Sequence, residues 1–143
     1  MMLMTIGSLA SLPQSITRED LKNGIWLYTE SAWYERSYLV YTDSAQISTY
    51  AECLYTKKWE SVTINHPYYL TDSIPKNQDS YEFDFSKVGK NTKGNYIVEW
   101  NDKMKEVYFY KVTHYSGDTI ALKSVKDFDT PTFIYKKVES ISW

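Results

Sequence analysis

Thr17-Arg18-Glu19-Asp20-Leu21-Lys22-Asn23-Gly24-Ile25-Trp26 reads as one capped helical turn that stops at a glycine and delivers a tryptophan into a first strand. Thr17 is a good N-cap. Asp20, three residues on, completes a capping-box-like arrangement and complements the helix dipole. Asn23-Gly24 then ends the turn. From Ile25 onward no stretch keeps the i, i+3, i+4, i+7 spacing of a helix, whereas two-residue alternation recurs between turn clusters. The chain is therefore expected to be all-β after a short helical plug.

The alternation predicts strands at 24–30, 34–42, 45–55, 58–64, 81–87, 95–101, 104–114, 119–126 and 131–138. Between them lie turn-forming clusters: Thr42-Asp43-Ser44, Asn65-His66-Pro67, Gly89 to Gly94, Asn101-Asp102, Ser116-Gly117-Asp118 and Asp127 to Pro131. Strands joined so tightly are antiparallel neighbours. Thr71 to Ser80 is the exception: Pro75 cannot sit in a central strand, and the segment is expected to cross one end of the domain as a lid or lobe. Many short meandering strands with no βαβ signal predict an up-and-down antiparallel β-barrel of about eight strands, with the helical turn closing one end.

Faces follow from the same alternation. Trp26 and Tyr28 share one face of the first strand; Tyr108, Tyr110 and Val112 oppose Val107 and Phe109. Several strands are thus apolar on both sides. This predicts a packed or ligand-filled interior and an outer face covered by another element or by a protein partner. The composition agrees, since 14 tyrosines, 5 tryptophans and 5 phenylalanines in 143 residues suit half-buried pleated surfaces.

The net charge of −2 gives no electrostatic reason to bind a polyanion, so nucleic acid is disfavoured as a partner. Cys53 is the single cysteine and cannot form an intramolecular disulfide; in the strand-like run Ala51-Glu52-Cys53-Leu54-Tyr55 it reads as a small hydrophobe. Residues 1–15 read as a leader or disordered N-terminus, and the apolar run Met1 to Ile6 followed by Ser8-Leu9-Ala10 suits the remnant of an export signal. Residues 16–143 read as one barrel domain. No apolar stretch reaches the ~18 residues of a membrane span, so no transmembrane segment is expected.

Candidate chemistry is sparse. Glu82 and Asp84, alternating with aromatics, place two carboxylates on one side of a predicted strand, roughly 7 Å apart, as acid/base glycoside chemistry requires. A solvent-facing strand looks the same. Asp127, Asp129 and Asn101-Asp102 lack EF-hand spacing and read as turn formers. His66, His114 and Cys53 have no ligand-like spacing, so no metal is expected. Glycine-rich phosphate loops and a serine-hydrolase elbow are missing from the sequence. Lys57-Lys58-Trp59 and Tyr108-Phe109-Tyr110-Lys111 interleave bases with aromatics, but packing accounts for both patterns. No catalytic residue and no cofactor is assigned, and the chain is read as not an enzyme.

The triplet Gly24-Ile25-Trp26, after a helical turn and at the head of the first strand, resembles the Gly-x-Trp signature of lipocalins, the calycin-type barrels. Tyr68-Tyr69-Leu70-Thr71-Asp72, the run Phe83 to Lys90, Gly94-Asn95-Tyr96-Ile97-Val98 and the ending Thr132 to Val138 look similar to small lipocalin-like domains of exported Bacteroides-type proteins. The likeness spans most of residues 17–138. It implies an eight-stranded barrel whose base is sealed by Trp26, and an exported address, periplasmic, outer-membrane-associated or extracellular. The arginine that packs across the tryptophan in that family has no counterpart here, leaving Lys136 or Lys137 for the part, and its Thr-Asp-Tyr motif is missing.

The expectation is a non-enzymatic barrel binding a small apolar or amphipathic ligand. Gly24 and Trp26 would form its base, Tyr28 would stand above Trp26, and Tyr108 and Tyr110 would form the opposite wall. The alternative is an envelope interaction or structural module whose barrel is filled by its own side chains.

Overall fold

The capping chemistry at the start of the chain forms as its residues dictate. In the computed structural model, which describes residues 15–53, 55, 57–126 and 131–142, helix α1 spans Arg18–Lys22. Thr17 Oγ1 accepts a hydrogen bond from the Asp20 amide (3.2 Å), and the Thr17 amide donates to Asp20 Oδ2 (2.8 Å). Both ends of the capping box are closed. Ahead of the helix, β1 (Ile16–Thr17) pairs with β6 (Lys93–Gly94), tying the start of the described chain to a distant loop.

Eight strands close into a barrel. In chain order they are β2 (Ile25–Tyr28), β3 (Glu35–Tyr41), β4 (Ala45–Glu52), β5 (Glu60–Thr71), β7 (Tyr96–Asn101), β8 (Glu106–Tyr115), β9 (Thr119–Ser124) and β10 (Phe133–Val138). Each pairs antiparallel with its chain neighbour, and β10 returns to β2. This is the expected up-and-down barrel, and closure leaves it no continuous open edge. Among the described residues no helix is long and apolar enough to cross a membrane.

Closure decides which face is inside. The lower interior packs Trp26, Leu39, Tyr41, Tyr68, Leu70, Ile97, Val112 and Ile120, with Ile16 and Leu21 entering from the plug. Trp26 is fully buried, and its Nε1 donates to the Leu21 carbonyl at 2.9 Å, so the floor residue is bonded to the helix that covers it. The ring of Tyr115 lies 6.3 Å from that of Trp26. Lys137 stands opposite Trp26 in the β2–β10 ladder, and its aliphatic stem lies over Gly24, where an added Cβ would come within 2.5 Å of it.

A second core sits outside the barrel wall. Tyr69, Val98, Val107 and Phe109 point outward from β5, β7 and β8 and are buried beneath the connection between β5 and β6. Tyr81 lies edge-on to Phe109 (5.2 Å), Phe83 stacks on Tyr69 (4.9 Å), and the Tyr69 and Tyr81 hydroxyls are hydrogen bonded. The predicted covering of an outer apolar face is therefore met by the chain itself.

Three predicted features are corrected here. The connection expected as an end lid is instead a strap along the outer wall. No strand forms at 81–87, because this strap has no ladder partner; its alternating aromatics fill the outer core, and only the short 3₁₀ turns Gln78–Ser80 and Phe85–Lys87 are regular. Asn65-His66-Pro67, expected as a turn, lies within β5. Pro67 is accommodated because backbone N–H groups alternate sides along a strand. The Tyr68 amide donates toward β4, to the Ser44 carbonyl at 3.3 Å, so the Pro67 nitrogen faces the β7 side, where pairing starts only at Tyr68–Glu99.

Among the described glycines, Gly94 is the most closely approached. A Cβ there would fall 2.1 Å from the Thr71 carbonyl oxygen, a backbone atom. Gly94→Ala is expected to destabilise the fold by about 1–3 kcal/mol, read as a lower urea midpoint. Gly89→Ala, at a site open to solvent, tests only the positive φ of 80° and should cost less.

Candidate functional site

Above the Trp26 floor the barrel is not filled. A cavity of about 230 Å³ lies between the packed base and the rim where β2, β4, β7 and β9 end. Its apolar lining comes from Leu39, Leu122 and Phe133, and Tyr108, Tyr110 and Tyr135 add rings with hydroxyls. The remaining wall is polar: Gln46 and Ser48 from β4, His66 from β5 and Glu99 from β7.

Local register brings that polar wall together. Gln46 and His66 are directly opposed in the β4–β5 ladder, and Glu99 is opposed to Tyr68, which shares a strand face with His66. Glu99 is only 3% exposed, and burial pushes its carboxyl up to about 8. No cation compensates it among the lining residues. Gln46 Oε1 and His66 Nδ1 are also buried without a hydrogen-bond partner among the described residues. Burial lowers the His66 pKa from its ordinary value, so the ring is neutral at pH 7. Native interiors rarely leave such groups unpaired, and here two of them face one space beside the Glu99 carboxyl.

The tyrosines are neutral throughout the physiological range. Burial raises the hydroxyl pKa of Tyr110, Tyr108 and Tyr41, and pushes Tyr135 up to about 12. The site thus combines aromatic faces, hydroxyls and unpaired acceptors around one titrating carboxyl.

Sequence reasoning placed Tyr108 and Tyr110 on the opposite wall, and both line the cavity. Tyr28 does not. Its ring packs against Tyr135 (5.6 Å) and Phe133 (6.0 Å), and these two rings face the cavity in its place. Glu99, Gln46 and Ser48 were not singled out, and His66 was assigned to a turn. One signal for Glu99 was available: an acid flanked by Val98 and Trp100, in step with Ile97, inside a strand that is otherwise apolar on both faces.

The other candidates are dispersed. Asp84 caps the 3₁₀ turn at Phe85–Lys87, accepting from the Ser86 amide at 3.1 Å, and Glu82 is exposed on a separate surface groove between the strap and the β7–β8 hairpin. The paired-carboxylate geometry is thereby lost. Asn101 caps the β7–β8 turn, with Oδ1 accepting from the Met104 amide at 2.9 Å. Asp127 and Asp129 lie outside the described residues. Trp59 stacks under the Arg36 guanidinium at 4.9 Å, and Phe109 belongs to the outer core. Among the described residues no three His, Cys, Asp or Glu side chains converge as metal ligands would.

No protein-family model matches the chain, and neither does a curated protein or a solved structure.

Proposed function

We propose that this chain is a non-enzymatic, lipocalin-like carrier or sensor that holds one small apolar or amphipathic molecule inside the barrel. The observation that carries the reading is the cavity above Trp26: an interior filled at the base, open above it, and lined by tyrosine rings with unpaired polar groups. Ligand pockets pair an apolar lining with a few convergent polar groups in this way. The resemblance of Gly24-Ile25-Trp26 to the lipocalin signature, and the leader-like residues 1–15, support an exported protein of the cell envelope.

The cavity sets the ligand's size. At about 230 Å³ it exceeds the ~150 Å³ cavity that accepts benzene but falls short of the ~300–1,000 Å³ typical of drug-sized ligands. Compact single-ring or short-chain molecules fit within it.

Titration with toluene, benzyl alcohol and hexanol, followed by tyrosine and tryptophan fluorescence, is expected to give a saturable 1:1 response. Ser48→Phe, which places a ring in the cavity, should abolish it while leaving the circular dichroism spectrum unchanged. No saturable response, or equal binding by Ser48→Phe, overturns the reading. The interaction-module alternative draws on Val62 and Ile64, which are 64% and 52% exposed beyond the β5–β7 ladder. Stable self-association that is removed by Val62→Lys would favour it.

A further inference from the structure

The cavity carries more polar chemistry than an apolar guest needs. The Glu99 carboxyl, Gln46 Oε1 and His66 Nδ1 come from three successive strands of the barrel, and neither Gln46 Oε1 nor His66 Nδ1 has a partner among the described residues. Ionised Glu99 and the Gln46 oxygen are acceptors only, and the neutral His66 ring offers a nitrogen. Lysine and arginine are missing from the lining, so the protein supplies no donor charge of its own. Tyr108, Tyr110 and Tyr135 complete the wall with aromatic rings, a ring type whose quadrupole attracts cations.

We propose that the ligand is a small primary amine whose ammonium group sits on Glu99, with Gln46 and His66 accepting its further N–H bonds and the tyrosine rings flanking it. This inference rests on the ligand-binding reading above. An ammonium brings three donors and no acceptor, which complements the Glu99 carboxylate and the unpartnered atoms of Gln46 and His66. An anionic ligand would instead meet Glu99 as a like charge, and a hydrocarbon would leave Gln46 and His66 unpaired.

Binding of such a ligand is coupled to a proton. Glu99 titrates near 8 in the ligand-free barrel, so at pH 7 most molecules hold a proton that the ammonium must displace. The other titratable groups facing Glu99 are His66 and Tyr68 from β5, Tyr41 from β3, Tyr108 and Tyr110 from β8, and Tyr135 from β10. His66 is shifted below its ordinary value and the tyrosines above theirs. Glu99 is thus the group in this wall that changes charge between pH 7 and 9. Amine affinity should rise nearly tenfold per pH unit well below 8, more slowly on approaching 8, and then level.

The test compares benzylamine with toluene and benzyl alcohol on the whole chain by calorimetry. Benzylamine at pH 8 is expected to bind about 10- to 100-fold more tightly than toluene. At pH 7 it should release close to one proton, seen as a dependence of the heat on buffer ionisation enthalpy. Glu99→Gln should remove the preference and the proton release, with an unchanged far-ultraviolet circular dichroism spectrum verifying that the variant is folded. Toluene binding without a benzylamine preference or proton release overturns this inference and leaves the ligand-binding reading standing. Failure of all three probes overturns that reading itself.

Discussion

Trp26→Ala is expected to lower the stability of the barrel by about 3–5 kcal/mol, the range for truncating a large buried aromatic. Trp26 is 0% exposed, packs among residues from the plug and the barrel wall, and donates its Nε1 hydrogen to the Leu21 carbonyl at 2.9 Å. Truncation opens a void at the base and frees the helix from the strand it covers. For a domain with the usual ~5–15 kcal/mol of stability the change is severe. Urea unfolding followed by far-ultraviolet circular dichroism measures it without relying on the lost fluorophore. Trp26→Phe separates the two contributions: it keeps most of the apolar packing and loses the hydrogen bond, so its cost should be smaller, about 1–3 kcal/mol. Amide exchange in Arg18–Lys22 should quicken in both variants. A loss under ~1 kcal/mol for Trp26→Ala would mean that the plug is not anchored through this ring.

The same residue shows why part of the architecture was legible from the sequence. Thr17, Asp20, Gly24 and Trp26 act within ten positions, and capping chemistry depends on nothing more distant. Strand alternation is equally local, so all eight barrel strands were anticipated at least in part, β5 only over 60–64, with Tyr108 and Tyr110 on one face and Phe109 on the other. The errors have a common cause in tertiary context. Tyr81, Phe83 and Phe85 alternate with polar residues as a strand does, yet a strap packed on the outer wall uses the same pattern without a ladder. Pro67 reads as a turn unless it is known which neighbour its nitrogen faces, and that is settled only when β5 passes from β4 to β7. Tyr28 shares the inward face with Trp26, but Phe133 and Tyr135, far along the chain, take its place at the cavity.

Glu99 was the largest omission. An acid between Val98 and Trp100 reads as a solvent-facing position in a half-exposed strand, since ionised side chains are seldom buried without a partner. Barrel closure reverses that assignment by placing Ile97 and Glu99 inward and by covering Val98 and Trp100 with the strap. The candidate site was therefore legible as aromatic wall and illegible as polar centre. The polar centre arises from three strands whose side chains meet only after closure.

Glu99→Gln is expected to stabilise the ligand-free barrel at alkaline pH and to change little in acid. In the folded protein Glu99 holds its proton up to about 8, whereas in the unfolded chain it ionises near 4.3. Between these values the folded state binds more protons than the unfolded state, so stability falls as pH rises and reaches a floor above 8. Over that window the carboxyl costs on the order of 5 kcal/mol, an upper figure because the cavity offers it some hydration. Glutamine has no charge to bury and carries only the ~1–3 kcal/mol of an unpaired amide. The difference between variant and native protein cancels the opposite, exposed contributions of Asp43, Asp84, Asp102 and Asp118, whose carboxyls sit below their ordinary values. It also cancels the loss on acidification from His66, whose neutral form is favoured in the fold. Urea midpoints at pH 4.5 and pH 8.5 should therefore diverge, with the variant gaining on the native chain by several kcal/mol between them. Parallel curves would place Glu99 in contact with a compensating charge and remove the premise of amine recognition. Divergence would instead identify a side chain that opposes folding while facing the cavity, the trade-off between stability and function expected of a binding residue. Saturating benzylamine should then restore alkaline stability to the native barrel and add far less to Glu99→Gln, linking the fold's costliest carboxyl to amine binding.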